Sequence, residues 1–116
     1  MIDVSIIIVT YQSQDEVLDC LNSIYNNVDG LTFEIIIADN CSTDNTVKLI
    51  QSKFPDIILV ENKINMGFSF ANNIASKDAK GDFLFFLNPD SILFENSIKI
   101  LLSEYKSDNK KGIIGP

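Results

Sequence analysis

The chain contains no histidine and no tryptophan, and its nine basic residues are all lysine. The absence of histidine removes the usual neutral-pH general base, imidazole metal ligand and pH switch. Acid–base work therefore falls to carboxylates, lysine, tyrosine or a thiol. Sixteen acidic residues against nine basic ones leave a net charge of −7. That balance argues against a nucleic-acid surface, because phosphates are gripped mostly by lysine and arginine. Two cysteines, Cys20 and Cys41, are too few for a disulfide framework, and no Cys-x-x-Cys pair offers a zinc or redox site. Both are expected as reduced thiols in a cytoplasm. No run approaches the roughly 18 apolar residues of a membrane span. No basic stretch precedes the first apolar run, as a signal peptide would require.

What is present is an ordinary globular composition, 46% apolar and 22% charged over 116 residues. That length suits one domain and lets folding bury roughly two thirds of the unfolded surface. The pattern alternates. Val4 to Val9 is a β-branched run of the kind found in strands covered on both faces. Residues 15–25 place Val17, Leu18, Leu21, Ile24 and Tyr25 at helical spacing. Phe33 to Ala38 reads as a second buried strand. Ser42 or Thr43 then caps a helix running to Phe54, with Val47, Ile50 and Phe54 as its apolar side. Pro55 stops it before a third strand at 57–60. A short helix over 68–76 turns Ala71, Ile74 and Ala75 inward, and Gly81 precedes a fourth strand at 83–87. A last helix over 96–105 presents Ile98, Leu101, Leu102 and Tyr105. Strand–helix repetition with short connections predicts an α/β protein with an open parallel sheet, Rossmann-like, covered by helices on both faces. Gly112 to Pro116 reads as the opening of one more strand, so the chain is expected to be a truncated piece of a longer protein. A short terminal edge strand is the alternative.

In an open parallel sheet, ligands bind beyond the carboxyl ends of the strands. The four strands end in Thr10-Tyr11, Asp39-Asn40, Glu61-Asn62 and Asn88-Pro89-Asp90. Each cluster also has a plain role in turns and caps. Gathered on one edge, they predict a polar ligand. The turn after the first strand has no Gly-x-Gly-x-x-Gly and no glycine loop with lysine, so no helix N-terminus there cradles a phosphate. Receiver and flavodoxin patterns are missing at the same place.

Val4 to Tyr11, Ala38 to Asp44, Asn65-Met66-Gly67-Phe68 with Ala71-Asn72-Asn73, and Leu87 to Asp90 together resemble glycosyltransferase family 2. The likeness runs from residue 4 to the end, in the family's order and spacing. The Asn-Pro-Asp form is similar to its rhamnosyltransferase branch. The resemblance implies a GT-A fold with strand order 3-2-1-4. Residues 1–116 would be the donor-binding half of the catalytic domain. It further implies that Thr10, Tyr11 and Asp39 hold the base and ribose of a UDP- or dTDP-sugar. Asp39 would accept the pyrimidine N–H, and Tyr11 would offer a flat face or serve as a buried wall. Asn40 falls in the same motif and, like Asp44, suits the turn. Asn65, Gly67 and Asn73 match a motif near the nucleotide.

Asn88 and Asp90 fall where the family's Asp-x-Asp motif binds a divalent metal on the donor diphosphate. An acidic domain without arginine needs a bridging cation there, and Mg²⁺ or Mn²⁺ on Asp90 meets that need. The implied reaction is inverting transfer to a glycan or lipid-linked glycan in bacterial surface polysaccharide synthesis. The implied location is cytoplasmic, with the intact protein peripheral at the inner face of the membrane. The family's catalytic base lies in the second half of its domain, so no residue here is assigned that role. A non-catalytic α/β module binding a nucleotide or a protein is the alternative.

Overall fold

In the protein's computed structural model, which describes residues 1–108, four parallel strands alternate with four helices. Strand β1 (Ile2–Thr10) is the longest and lies inside the sheet, which has the order β3-β2-β1-β4. Its neighbours are β2 (Phe33–Asp39), in register Ile6↔Ile35, and β4 (Gly81–Leu87), in register Ile6↔Phe85. Strand β3 (Ile58–Glu61) pairs with the outer side of β2, Ile37 opposite Leu59. The order is the expected one. The expected strand at 112–116 lies outside the described residues.

Period-two alternation sends successive side chains of β1 to opposite faces. Val4, Ile6 and Ile8 meet Val17, Leu21 and Ile24 of α1 (Val17–Asn27), Ile50 of α2 (Thr46–Lys53) and Ile98 of α4 (Ser97–Asp108). Ile7 and Val9, with Ile36 and Ala38 of β2, meet Ala71 and Ala75 of α3 (Phe68–Ser76). Each buried isoleucine of this core contributes about 1.5–3 kcal/mol of transfer free energy. The sheet thus has helices on both faces, but unequally. Helix α3 covers β1 and β2 and leaves Leu84 and Phe86 of β4 half exposed on its side.

Two local expectations give way. Helix α2 starts at Thr46 rather than after Ser42 or Thr43, because those residues have other partners. Ser42 bonds Asp39 through both its amide and its hydroxyl, and the Thr43 amide bonds Gln12. Ile74 of α3 is 37% exposed rather than turned fully inward; the two alanines alone are its buried residues, which lets the helix lie close to the sheet. A close approach also explains Gly81. A Cβ at Gly81 would come within 2.4 Å of the Ser5 backbone nitrogen.

Candidate functional site

The parallel register places Thr10 beside Asp39 and Asp39 beside Glu61, all at carboxyl ends of strands. Thr10 Oγ1 donates to Asp39 Oδ1 at 2.7 Å, and Ser42 Oγ donates to the same oxygen at 2.6 Å. The Ser42 amide donates to Asp39 Oδ2 at 2.8 Å. A carboxylate offers about four acceptor sites; three here are filled from within the protein. Asp39 is 1% exposed and Thr10 is fully buried.

Asn40 continues the network outward. Its amide donates to the Thr10 carbonyl at 2.9 Å, and its Nδ2 donates to the Gly67 carbonyl at 3.1 Å. Its Oδ1 accepts from Asn62 Nδ2 at 3.0 Å. The Asn62 amide in turn donates to the Asp39 carbonyl at 2.9 Å. Asn65 Oδ1 accepts the Gly67 amide at 3.0 Å, closing a tight turn in which Gly67 takes φ +84°, a conformation that favours glycine. A parallel clasp joins the loops after β1 and β2. The Gln12 amide donates to Ser42 Oγ at 2.9 Å, Gln12 Nε2 donates to Thr43 Oγ1 at 3.0 Å, and the Ser13 amide donates to Thr46 Oγ1 at 2.8 Å. Slight burial pushes the Asp44 carboxyl up, but hydrogen bonds from Thr46 and the Gln14 amide outweigh it and hold the group below its ordinary value.

Across the sheet, the Asn88-Pro89-Asp90 turn follows β4 on the same edge. Between the two sides lies an open cleft of about 390 Å³, lined by Tyr11, Glu16, Asn40, Asn65, Phe68 and that turn. This falls within the usual volume range for small-molecule sites. Under the turn, the Cys20 thiol lies 3.6 Å from the Asn88 carbonyl. Burial, and then the charge of Asp90, push that thiol up to about 11, so it stays protonated at neutral pH.

Of the residues singled out from sequence, Tyr11, Asn40, Asn65, Asn88 and Asp90 line the cleft. Thr10 and Asp39 lie buried at the strand ends beside it, and Gly67 is tied in through Asn40. Asn73 sits on an exposed part of α3 and does not line the cleft. Sequence reasoning missed Gln12 and Glu16, and gave Phe68 no role beyond its motif. Asn62 was visible as a strand-end residue, but only the pairing of β3 with β2 brings it against Asn40.

Among the described residues, no three His, Cys, Asp or Glu side chains form a metal cage. Magnesium does not need one, since one or two carboxylates with phosphate oxygens and waters suffice. Asp90, exposed beside the Asn88 amide in an open cleft, fits that lighter requirement.

The sequence profile of glycosyl transferase family 2 matches residues 5–116. The chain belongs to that family. This family 2 chain is 29% identical over 127 residues to poly(ribitol-phosphate) beta-glucosyltransferase of Bacillus spizizenii, covering 95% of itself and 20% of that relative. It is 33% identical over 94 residues to the glycosyltransferase SunS of Bacillus subtilis, covering 80% of itself and 21% of SunS. Its open parallel sheet and helices match the GT-A fold of Staphylococcus aureus TarS 1–349. The match to the complex with UDP has a TM-score of 0.81 at 25% identity, covering 98% of this chain and 37% of TarS 1–349. The match to the complex with UDP-GlcNAc has a TM-score of 0.80 at 25% identity, covering 98% and 36%. The chain thus spans about a fifth of the length of these two curated relatives.

Proposed function

We propose that this family 2 chain is the nucleotide-sugar-binding half of a glycosyltransferase that moves a sugar from a UDP-sugar to a glycan or lipid-linked glycan of a bacterial surface polymer. The observation that carries the reading is the cleft itself. A buried Asp39 network stands on one side and an exposed Asp90 turn on the other, on the strand-end edge of a fold shared with UDP-bound TarS. The named relatives that act on poly(ribitol-phosphate) support the class of acceptor.

Within this reading Asp39 uses its remaining acceptor site for the pyrimidine N–H. Such a bond, made to a charged group away from water, is worth about 1.5–3 kcal/mol. Tyr11, half exposed at the cleft, offers its ring to the base. Asn65 and Gly67 shape the loop beside the ribose. Asn73, outside the cleft lining, acts at most through α3. Asp90 and the Asn88 amide would hold Mg²⁺ or Mn²⁺ together with the donor diphosphate. A divalent ion there supplies charge stabilisation to the departing nucleotide diphosphate. No residue of this chain is assigned the general base.

No described helix is long and apolar enough to cross a membrane. The same proposal places the work at the cytoplasmic side, on a donor made there and an acceptor at the membrane's inner face. A dTDP-sugar is the second reading, carried by the Asn88-Pro89-Asp90 likeness to rhamnosyltransferases. Calorimetry of the full chain with UDP, dTDP, GDP and ADP, each with Mn²⁺, tests both. Binding of UDP at least tenfold tighter than the purine nucleotides is expected. A preference for dTDP selects the second reading. Equal or absent binding of all four returns the chain to the alternative of a non-catalytic module.

A further inference from the structure

Helix α1 carries a polar stripe inside its buried face. Cys20, Ser23 and Asn27 are spaced i, i+3 and i+7, so they stand on one side of the helix. All three face the segment between β4 and α4. Cys20 Sγ reaches the Asn88 carbonyl at 3.6 Å. Ser23 Oγ accepts the Leu93 amide at 3.0 Å, and Asn27 Nδ2 donates to the Leu93 carbonyl at 2.9 Å. The Asn96 amide then donates to the Asn27 carbonyl at 3.2 Å. Leu93 itself is buried in the core beside α1.

Both backbone polar groups of Leu93 are therefore satisfied by side chains of one helix. Burial of the Leu93 side chain alone would hold the segment to the core without fixing its position along α1. The paired hydrogen bonds fix that position, because a shift would leave buried backbone groups unpartnered. The segment they fix begins with Asn88-Pro89-Asp90, three residues before Leu93.

We propose that Ser23 and Asn27, with Cys20 below the turn, are positioning residues that hold Asp90 at the place where the donor diphosphate binds. The inference rests on the UDP-sugar reading above and adds residues that touch neither nucleotide nor metal. Partners of this outer kind change metal or ligand affinity by about 10-fold to 100-fold when removed. Their loss should fall on the diphosphate side of the cleft alone, since the hydrogen bonds that hold Asp39 and Asn40 run to Thr10, Ser42, Asn62 and Gly67 rather than to the stripe.

The test uses the full chain and two readouts. Calorimetry compares uridine with UDP plus Mn²⁺, and amide hydrogen exchange follows residues 88–96 against β1 and α1. Ser23→Ala and Asn27→Ala are expected to speed exchange at Ser91 and Leu93 while β1 and α1 stay protected. UDP affinity in Mn²⁺ should fall about 10-fold or more, with uridine affinity changed less than about twofold. Ser23→Thr, which keeps the hydroxyl, should restore both readouts. Unchanged exchange in the segment overturns the clamp, whatever the ligands do. Equal losses on uridine and UDP overturn it too, as general destabilisation. Asp90→Ala separates the underlying reading: if it leaves UDP affinity unchanged, the diphosphate assignment falls, and the exchange data alone then decide whether the stripe holds the turn.

Discussion

On the β1–β2 side of the cleft, a buried carboxylate already accepts three hydrogen bonds, and Asn40 and Asn62 extend that network without a gap. On the β4 side, Asn88 and Asp90 stand in solvent on a turn closed by the Ser91 amide on the Asn88 carbonyl and tied from beneath to α1. One side is assembled as part of the folded core. The other presents groups whose partners must come from outside. The difference suits the two ends of a nucleotide sugar. A base has fixed hydrogen-bonding edges that reward a preformed pocket, whereas a diphosphate with its cation brings charge that a solvated carboxylate can meet late.

The contrast is most sharply tested by removing each carboxylate in turn. Asp39→Ala strips the acceptor from a buried Thr10 hydroxyl and from both donors of Ser42. It should cost about 3 kcal/mol of stability, measured by urea unfolding, besides weakening UDP binding. Asp90→Ala should leave stability within about 0.5 kcal/mol of the parent, yet lower UDP affinity in Mn²⁺ at least as far as the α1 substitutions do, up to about 100-fold. A stability loss from Asp90→Ala as large as that from Asp39→Ala would erase the distinction between the two sides.

The smallest effect concerns Asp44, at the outer end of the network on the β2 side. Its folded-state value lies below the ordinary 3.8. A carboxyl depressed in this way stabilises the fold above its unfolded value, and that contribution is lost as pH falls through the folded one. Unfolding midpoints of the parent should therefore drop on acidification below about pH 4 by slightly more than those of Asp44→Asn. An identical acid profile for the two proteins would show that the Thr46 and Gln14 bonds leave the carboxylate energetically neutral.

The parallel sheet and the shared edge were legible because four β-branched or aromatic runs each end in polar residues, and parallel pairing carries those ends to one side; the strand order came only with the resemblance to family 2. Positions whose partners lie on another strand or loop were not. Ser42 and Thr43 look like helix caps by composition, but a carboxylate on β2 and an amide from the β1 loop capture them first, and the helix waits for Thr46. Asn62 showed only as a strand end and Gln12 carries no local signal at all; their roles exist only once the strands are neighbours. The stripe on α1 was hidden by a different cause. Cys20, Ser23 and Asn27 interleave with Val17, Leu21 and Ile24, and an apolar period read alone passes over the polar residues inside it.

The central position of β1 also fixes the order in which the cleft can come into being. No two neighbouring strands form a hairpin; β1 meets β2 across 29 residues, as Ile6 with Ile35, but meets β4 across 79, as Ser5 with Leu84. Loop-closure entropy makes the second pairing harder by about 0.9 kcal/mol, before any crossover helix has docked. The β1–β2 half is thus expected to form first during synthesis, complete with its Asp39 network. The Asp90 half joins only after residue 87 has left the ribosome and found the far edge of β1. On the proposed reading, a ribosome-bound chain stalled before that point would already hold its Asp39 side and lack Asp90 for a diphosphate, so nucleotide binding should switch on late and abruptly as the nascent chain lengthens.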